Sequence, residues 1–207
     1  MILRLSAHER RLETTYDDWC IRDIARWLRS RVFSQIKPLH RVLDIGAGRG
    51  KYLTLLRMMG RNNTHVTAIE IESNYVDQFH LRDLYNEVLV ADAAGLIELD
   101  TQYDLIIAGD VLEHMRKSAG VDLLHWMVYH ARYLWLQWPL RYVQNALDGY
   151  RHERHISVWT EADVLALNAD YVRFFSAPLE AYAVLGYLGA SPEPLTILRR
   201  SEPSLNV

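Results

Sequence analysis

The stretch Arg41-Val42-Leu43-Asp44-Ile45-Gly46-Ala47-Gly48-Arg49-Gly50 decides the fold. It opens as a short apolar run interrupted only by Asp44 and stops at three alternating glycines. A nearly continuous apolar run bounded by glycine reads as a strand buried on both faces. The glycines let the chain turn sharply and let backbone approach a ligand. Behind them Tyr52, Leu55, Leu56 and Met59 recur at helical spacing, and Gly60 marks the helix end. The N-terminus of such a helix adds free N–H groups and a partial positive charge at the turn. Asp44, inside the strand, needs a partner or a function, because an unpaired buried carboxylate is costly.

The same rhythm continues along the chain. His65–Glu70, Glu87–Ala91, Tyr103–Ala108 and Tyr133–Trp138 read as strands, and Ser73–Leu81 and Gly120–Ala131 as helices between them. Short apolar strands alternating with helices predict a parallel sheet covered on both faces, and right-handed crossovers make it doubly wound. In the tail, Thr160 is the expected cap of a helix running to about Ala169. Tyr171–Phe175 and Leu195–Arg199 then read as strands, with residues 176–194 as a long connection. Two late strands without a helical crossover predict an antiparallel pair at one sheet edge. Before the sheet, Ile21, Ile24, Ala25, Leu28 and Val32 form one apolar helical stripe that Pro38 ends. The expected architecture is therefore α/β: a doubly wound, mostly parallel, seven-stranded Rossmann-like sheet with an antiparallel edge strand. Residues 1–38 form an N-terminal helical extension, 39–200 the ligand-binding domain, and 201–207 a tail.

Composition narrows the function. The 207 residues carry 23 basic and 26 acidic side chains and a single cysteine, Cys20. That balance argues against a nucleic-acid partner or a polybasic membrane binder. One cysteine excludes an intrachain disulfide framework, a cysteine-rich zinc site and an iron–sulfur cluster. No apolar run is long enough to span a bilayer, and the start MILRLSAHERR has no signal-like stretch, so the expected location is cytoplasmic. A monomer or a homodimer is expected.

In an open parallel sheet, ligands bind beyond the carboxyl ends of the strands. Those ends carry Asp44 and the glycines, then Glu70, then Asp92, then Asp110. A dinucleotide site wants Gly-x-Gly-x-x-Gly, whereas here the third glycine, Gly50, comes one residue early. A nicotinamide-dependent oxidoreductase is thus a weaker alternative. Taken in order, "VLDIGAGRGKY", "AIEIESNYV", "VLVADAAG" and "YDLIIAGDVLEHM" resemble the class I S-adenosylmethionine-dependent methyltransferases over about residues 41–138. The resemblance implies S-adenosyl-L-methionine as cofactor and a small-molecule acceptor methylated on oxygen or nitrogen. It implies Asp44, Gly46, Ala47, Gly48 and Gly50 at the methionine end, and Glu70 with Ile71 at the ribose. It further implies Asp92 with Ala93 at the adenine, and Asp110 with Val111 near the transferred methyl. A cofactor-binding protein that has lost transfer is the other alternative.

Candidate catalytic residues are His155, His152, His114 and Glu113. Neutral imidazole near pH 7 is a suitable general base. The segment His155-Ile156-Ser157-Val158-Trp159-Thr160 resembles one that overhangs the substrate side in many of these enzymes. The spacing of the three histidines matches no standard zinc signature, so no metal is expected. No Asp/Asn-Pro-Pro-aromatic loop follows the fourth strand and no Pro-Cys nucleophile is present, which argues against base methylation of nucleic acid. The sheet domain leaves no room for a separate substrate domain, so acceptor recognition is expected from the N-terminal helix and the Pro139–Trp159 loop.

Overall fold

A computed structural model describes residues 39–58, 60–98, 100–139, 144–145, 149–176 and 180–186. All of them belong to one unit, Lys37–Val207. The expected N-terminal helix, the Leu195–Arg199 strand and the C-terminal tail lie outside the described residues.

The fold is a Rossmann-like α/β sheet. Five strands run parallel: β1 (Arg41–Ile45), β2 (His65–Glu70), β3 (Glu87–Val90), β4 (Tyr103–Gly109) and β5 (Ala131–Pro139). Two more, β6 (Tyr171–Ser176) and β7 (Glu180–Gly186), continue the sheet in the order β3-β2-β1-β4-β5-β7-β6. The order reverses direction at β1, which places β1 and β4 side by side at the switch point where such sheets bind ligands.

Helices α1 (Lys51–Met58), α2 (Ser73–Gln78), α3 (Leu81–Leu84), α4 (Lys117–His130) and α5 (Glu161–Leu165) fill the connections. Helix α4 buries Leu123, Leu124, Trp126 and Met127. These join Leu43, Ile45, Ile106, Leu134, Leu136 and Trp159 in one apolar core. Gly120 lets Trp159 lie flat on α4, since a Cβ there would stand 2.4 Å from the indole. Lys117 completes the seat, with its ammonium 3.6 Å from the Trp159 ring centroid and 2.8 Å from Asp163. The ammonium and the ring face attract electrostatically.

Three expectations need correction. The helix read as Ser73–Leu81 breaks into α2 and α3, because His80 takes a left-handed φ of 52° between them. Helix α5 ends at Leu165, well short of Ala169. The segment read as a connection contains β7, which pairs antiparallel with both β5 and β6. The antiparallel strand is therefore inside the sheet, and the outermost strand, β6, points the same way as β5.

Candidate functional site

Parallel register brings four strand ends to one edge of the sheet. The turn after β1 has three glycines in the left-handed region, with φ of 70°, 49° and 75° at Gly46, Gly48 and Gly50. At Gly46 the reason is also steric: a Cβ would stand 2.4 Å from Val111 Cγ2. At Gly48 a Cβ would meet only the Gly46 carbonyl, at 3.9 Å, so the turn leaves space there.

The turn is held by the neighbouring strand. Gly46 and Ala47 N–H both donate to Ile69 O, at 2.8 and 3.1 Å. Gly48 N–H donates to Glu70 Oε2 at 2.8 Å, and Glu72 N–H to Glu70 Oε1 at 3.0 Å. Gly50 N–H closes back on Ala47 O at 2.8 Å. The N–H groups of Gly46, Ala47, Gly48 and Gly50 are thus committed inside the protein. Burial raises the Glu70 carboxyl above its ordinary range, and the backbone N–H bonds pull it back down.

Beneath the turn, Asp44 is fully buried and Tyr85 Oη donates to its Oδ2 at 2.5 Å. Its Oδ1 has no hydrogen-bond partner. Burial pushes the carboxyl up to about 7; the Tyr85 bond opposes this, Glu70 adds to it, and Lys51 opposes it. At the end of β4, Asp110 stands at φ 56°, a strained conformation for a residue with a side chain. Gln137 Nε2 donates to Asp110 Oδ2 at 2.8 Å, Tyr52 Oη donates to Gln137 Oε1 at 3.0 Å, and Lys51 Nζ lies 3.9 Å from Asp110. Gly109 makes this chain fit, because a Cβ there would fall 1.9 Å from the Tyr52 hydroxyl. The sequence singled out neither Tyr52 nor Gln137 for this chain; a buried glutamine in an apolar strand was the available signal.

Asp92 is exposed and caps its own turn, accepting Ala94 N–H at 2.9 Å. Ala93 behind it is buried. Ile71, next to Glu70, leaves 37% of its surface exposed.

The expected catalytic residues separate into two groups. His114, His155 and Glu113 come together: their ligating atoms all lie within 4.8 Å of one another. The His114 and His155 rings meet edge to face at 4.9 Å. Glu113 is buried in a 3-10 turn, Leu112–His114, and its carbonyl accepts Ile156 N–H at 2.7 Å and Ser157 N–H at 3.1 Å. Burial pushes His114 below its usual range and His155 adds to this, while Glu153 and the Arg154 carbonyl oppose it. His152 touches His114 only through its backbone, while its ring Nε2 lies 3.8 Å from Glu72 Oε1. Beside it Tyr150 accepts from Asn74 Nδ2 at 3.3 Å and packs on Tyr75 at 5.2 Å, so this segment lies against the first turn of α2.

The methyltransferase domain family matches residues 16–171. The chain belongs to the class I S-adenosylmethionine-dependent methyltransferases. No curated protein sequence matches it. Among solved structures, magnesium protoporphyrin IX methyltransferase from Synechocystis PCC 6803 with bound SAM superposes with a TM-score of 0.60 at 16% identity, over 90% of this chain and 86% of that one. A SAM-dependent methyltransferase from Archaeoglobus fulgidus gives 0.57 at 16% identity, over 86% and 98%. TehB from Haemophilus influenzae gives 0.60 at 15% identity, over 86% and 65%.

The geometry of this methyltransferase fits its cofactor better than a dinucleotide. Glu70 and Asp110 place carboxyl groups at the strand ends, which suits a cationic sulfonium better than a pyrophosphate. The Glu70 carboxyl takes backbone N–H bonds from Gly48, Glu72 and Ile71 at the end of β2. The space at Gly48 is room that a Cβ would take. Among the described residues, no helix is long and apolar enough to cross a membrane.

Proposed function

We propose that the chain methylates an oxygen or nitrogen of a small-molecule acceptor, with the β1–β4 strand ends holding S-adenosylmethionine. The observation that carries this is the Glu70 carboxylate bound to Gly48 N–H, which ties the expected ribose acceptor to the expected cofactor turn. When bound, the cofactor would supply an electrophilic methyl for transfer to an in-line nucleophile, with S-adenosylhomocysteine as the leaving thioether. In this reading Glu70 accepts the ribose diol, and Ile71 offers an apolar face to the adenine. Asp92 and Ala93 border the adenine edge. Gly46, Ala47, Gly48 and Gly50 shape the wall at the methionine end, above Asp44. Asp110 and Val111 border the methyl, with Asp110 fixed by Gln137 and Lys51.

The protein's main contribution is positioning and exclusion of water. Glu113, His114 and His155 form the polar cluster that promotes loss of the acceptor's proton. His152 is assigned to the cofactor side, because it faces Glu72 and not the cluster. In this reading the 149–159 segment that carries His155 supplies acceptor contacts. A labelled-cofactor screen of small-molecule extract tests the reading. A methylated product above background supports it, and cofactor binding with no product across a broad acceptor panel contradicts it.

A further inference from the structure

We propose that Glu113, His114 and His155 form a binding site for a divalent first-row transition cation. Two imidazoles and one carboxylate are a donor set that suits such ions and leaves coordination positions open. Their ligating atoms already lie within 4.8 Å of one another, with His114 Nε2 3.9 Å from Glu113 Oε1. Metal–ligand bonds of about 2.0–2.2 Å need those atoms roughly 3–3.5 Å apart, so small side-chain rotations close the site.

A second observation concerns orientation. His114 Nδ1 lies 3.3 Å from the Arg154 carbonyl oxygen. A carbonyl only accepts, so in this contact Nδ1 carries the hydrogen, and a neutral ring so bonded has its lone pair on Nε2. It is Nε2 that faces Glu113. A backbone carbonyl on the far ring nitrogen is the usual outer support of a metal-bound histidine. A cation placed between Nε2 and the Glu113 carboxyl oxygen would bond to both.

A third observation is that the two ligand-bearing segments are one unit. Glu113 O accepts from Ile156 and Ser157, and Ser157 Oγ donates to Leu112 O at 3.0 Å. The sequence names all three residues, but their two distant segments have no motif spacing to show that they converge.

The cation's role rests on the methyl transfer proposed above, whereas the site itself does not. An acceptor hydroxyl that ligates the cation becomes more acidic and releases its proton to water. Two open positions favour an acceptor with a second oxygen within chelating distance of that hydroxyl.

The test uses the full chain, stripped with a chelator and titrated with Mn2+, with free ion read by electron paramagnetic resonance. The expected result is one saturable site per chain from which Zn2+ displaces Mn2+. His114→Ala, His155→Ala and Glu113→Gln should each weaken it about tenfold or more. His125→Ala, exposed on α4, should leave it unchanged. If Glu113→Gln does not fold, the two partly exposed histidines decide. No saturable binding, or unchanged affinity in His114→Ala and His155→Ala, overturns the proposal. A parallel titration with S-adenosylhomocysteine separates the readings: Mn2+ binding without it keeps the metal site and removes the methyl-transfer reading.

Discussion

The backbone N–H of Gly48 donates to Glu70 Oε2 at 2.8 Å, so the turn after β1 is held by the end of β2. One carboxylate both shapes the turn and keeps lone pairs for a ligand. Glu70→Ala removes a charge-assisted acceptor worth roughly 1.5–3 kcal/mol. Affinity for S-adenosylhomocysteine should fall about 10–100-fold by calorimetry. Lower stability with unchanged affinity would make Glu70 a loop clamp only.

Two glycines in that turn should respond differently. Gly46→Ala combines a left-handed φ of 70° with a Cβ 2.4 Å from Val111, so it should cost about 2–4 kcal/mol of stability. Gly48→Ala has the backbone strain without the clash and should cost about 1–2 kcal/mol. Gly48→Ala should nonetheless lose most cofactor affinity, because its methyl occupies the space left for the ligand. Denaturant unfolding and calorimetry on both variants check this. Undiminished affinity in Gly48→Ala would remove the cofactor from that space.

Much of this was legible in the chain. β1 and β2 were readable to the residue, because apolar runs bounded by glycine or acid leave little choice of register. β7 was not. Glu180-Ala181-Tyr182-Ala183-Val184-Leu185-Gly186 has few β-branched residues, and prolines on either side made the whole region read as loop. Its pairing with two neighbours overrides that weak local preference. The strand-end residues Asp44, Glu70 and Asp110 were readable because parallel strands deliver their ends to one place. The Tyr52–Gln137–Asp110 chain was not, and Glu113, His114 and His155 were each named while their convergence from distant segments was not readable.

Asp44 predicts a pH dependence of stability. Burial raises its folded carboxyl to about 7 from an ordinary 3.8. Between those values the unfolded chain gives up a proton that the folded protein keeps. Stability from this group is thus full below about pH 4 and is lost as pH rises to about 7, by an amount on the order of a few kcal/mol. Asp44→Asn cannot titrate. The stability difference, wild type minus variant, should fall from pH 4 to 7 and stay level above 8. A difference that is flat across the range would contradict the buried, proton-holding Asp44.

Once an acceptor is found, His114→Ala and His155→Ala should lower turnover about 100-fold or more with cofactor affinity intact. His152→Ala should spare turnover with saturating cofactor, because His152 faces Glu72. Single-turnover rates with parallel calorimetry check both. Full activity in His114→Ala and His155→Ala would return the cluster to a structural role.

The most direct test of the account is calorimetry of the full chain with S-adenosylmethionine and S-adenosylhomocysteine. The account predicts one saturable site per chain for each, weakened by Glu70→Ala. A folded protein that binds neither at millimolar concentration would contradict it.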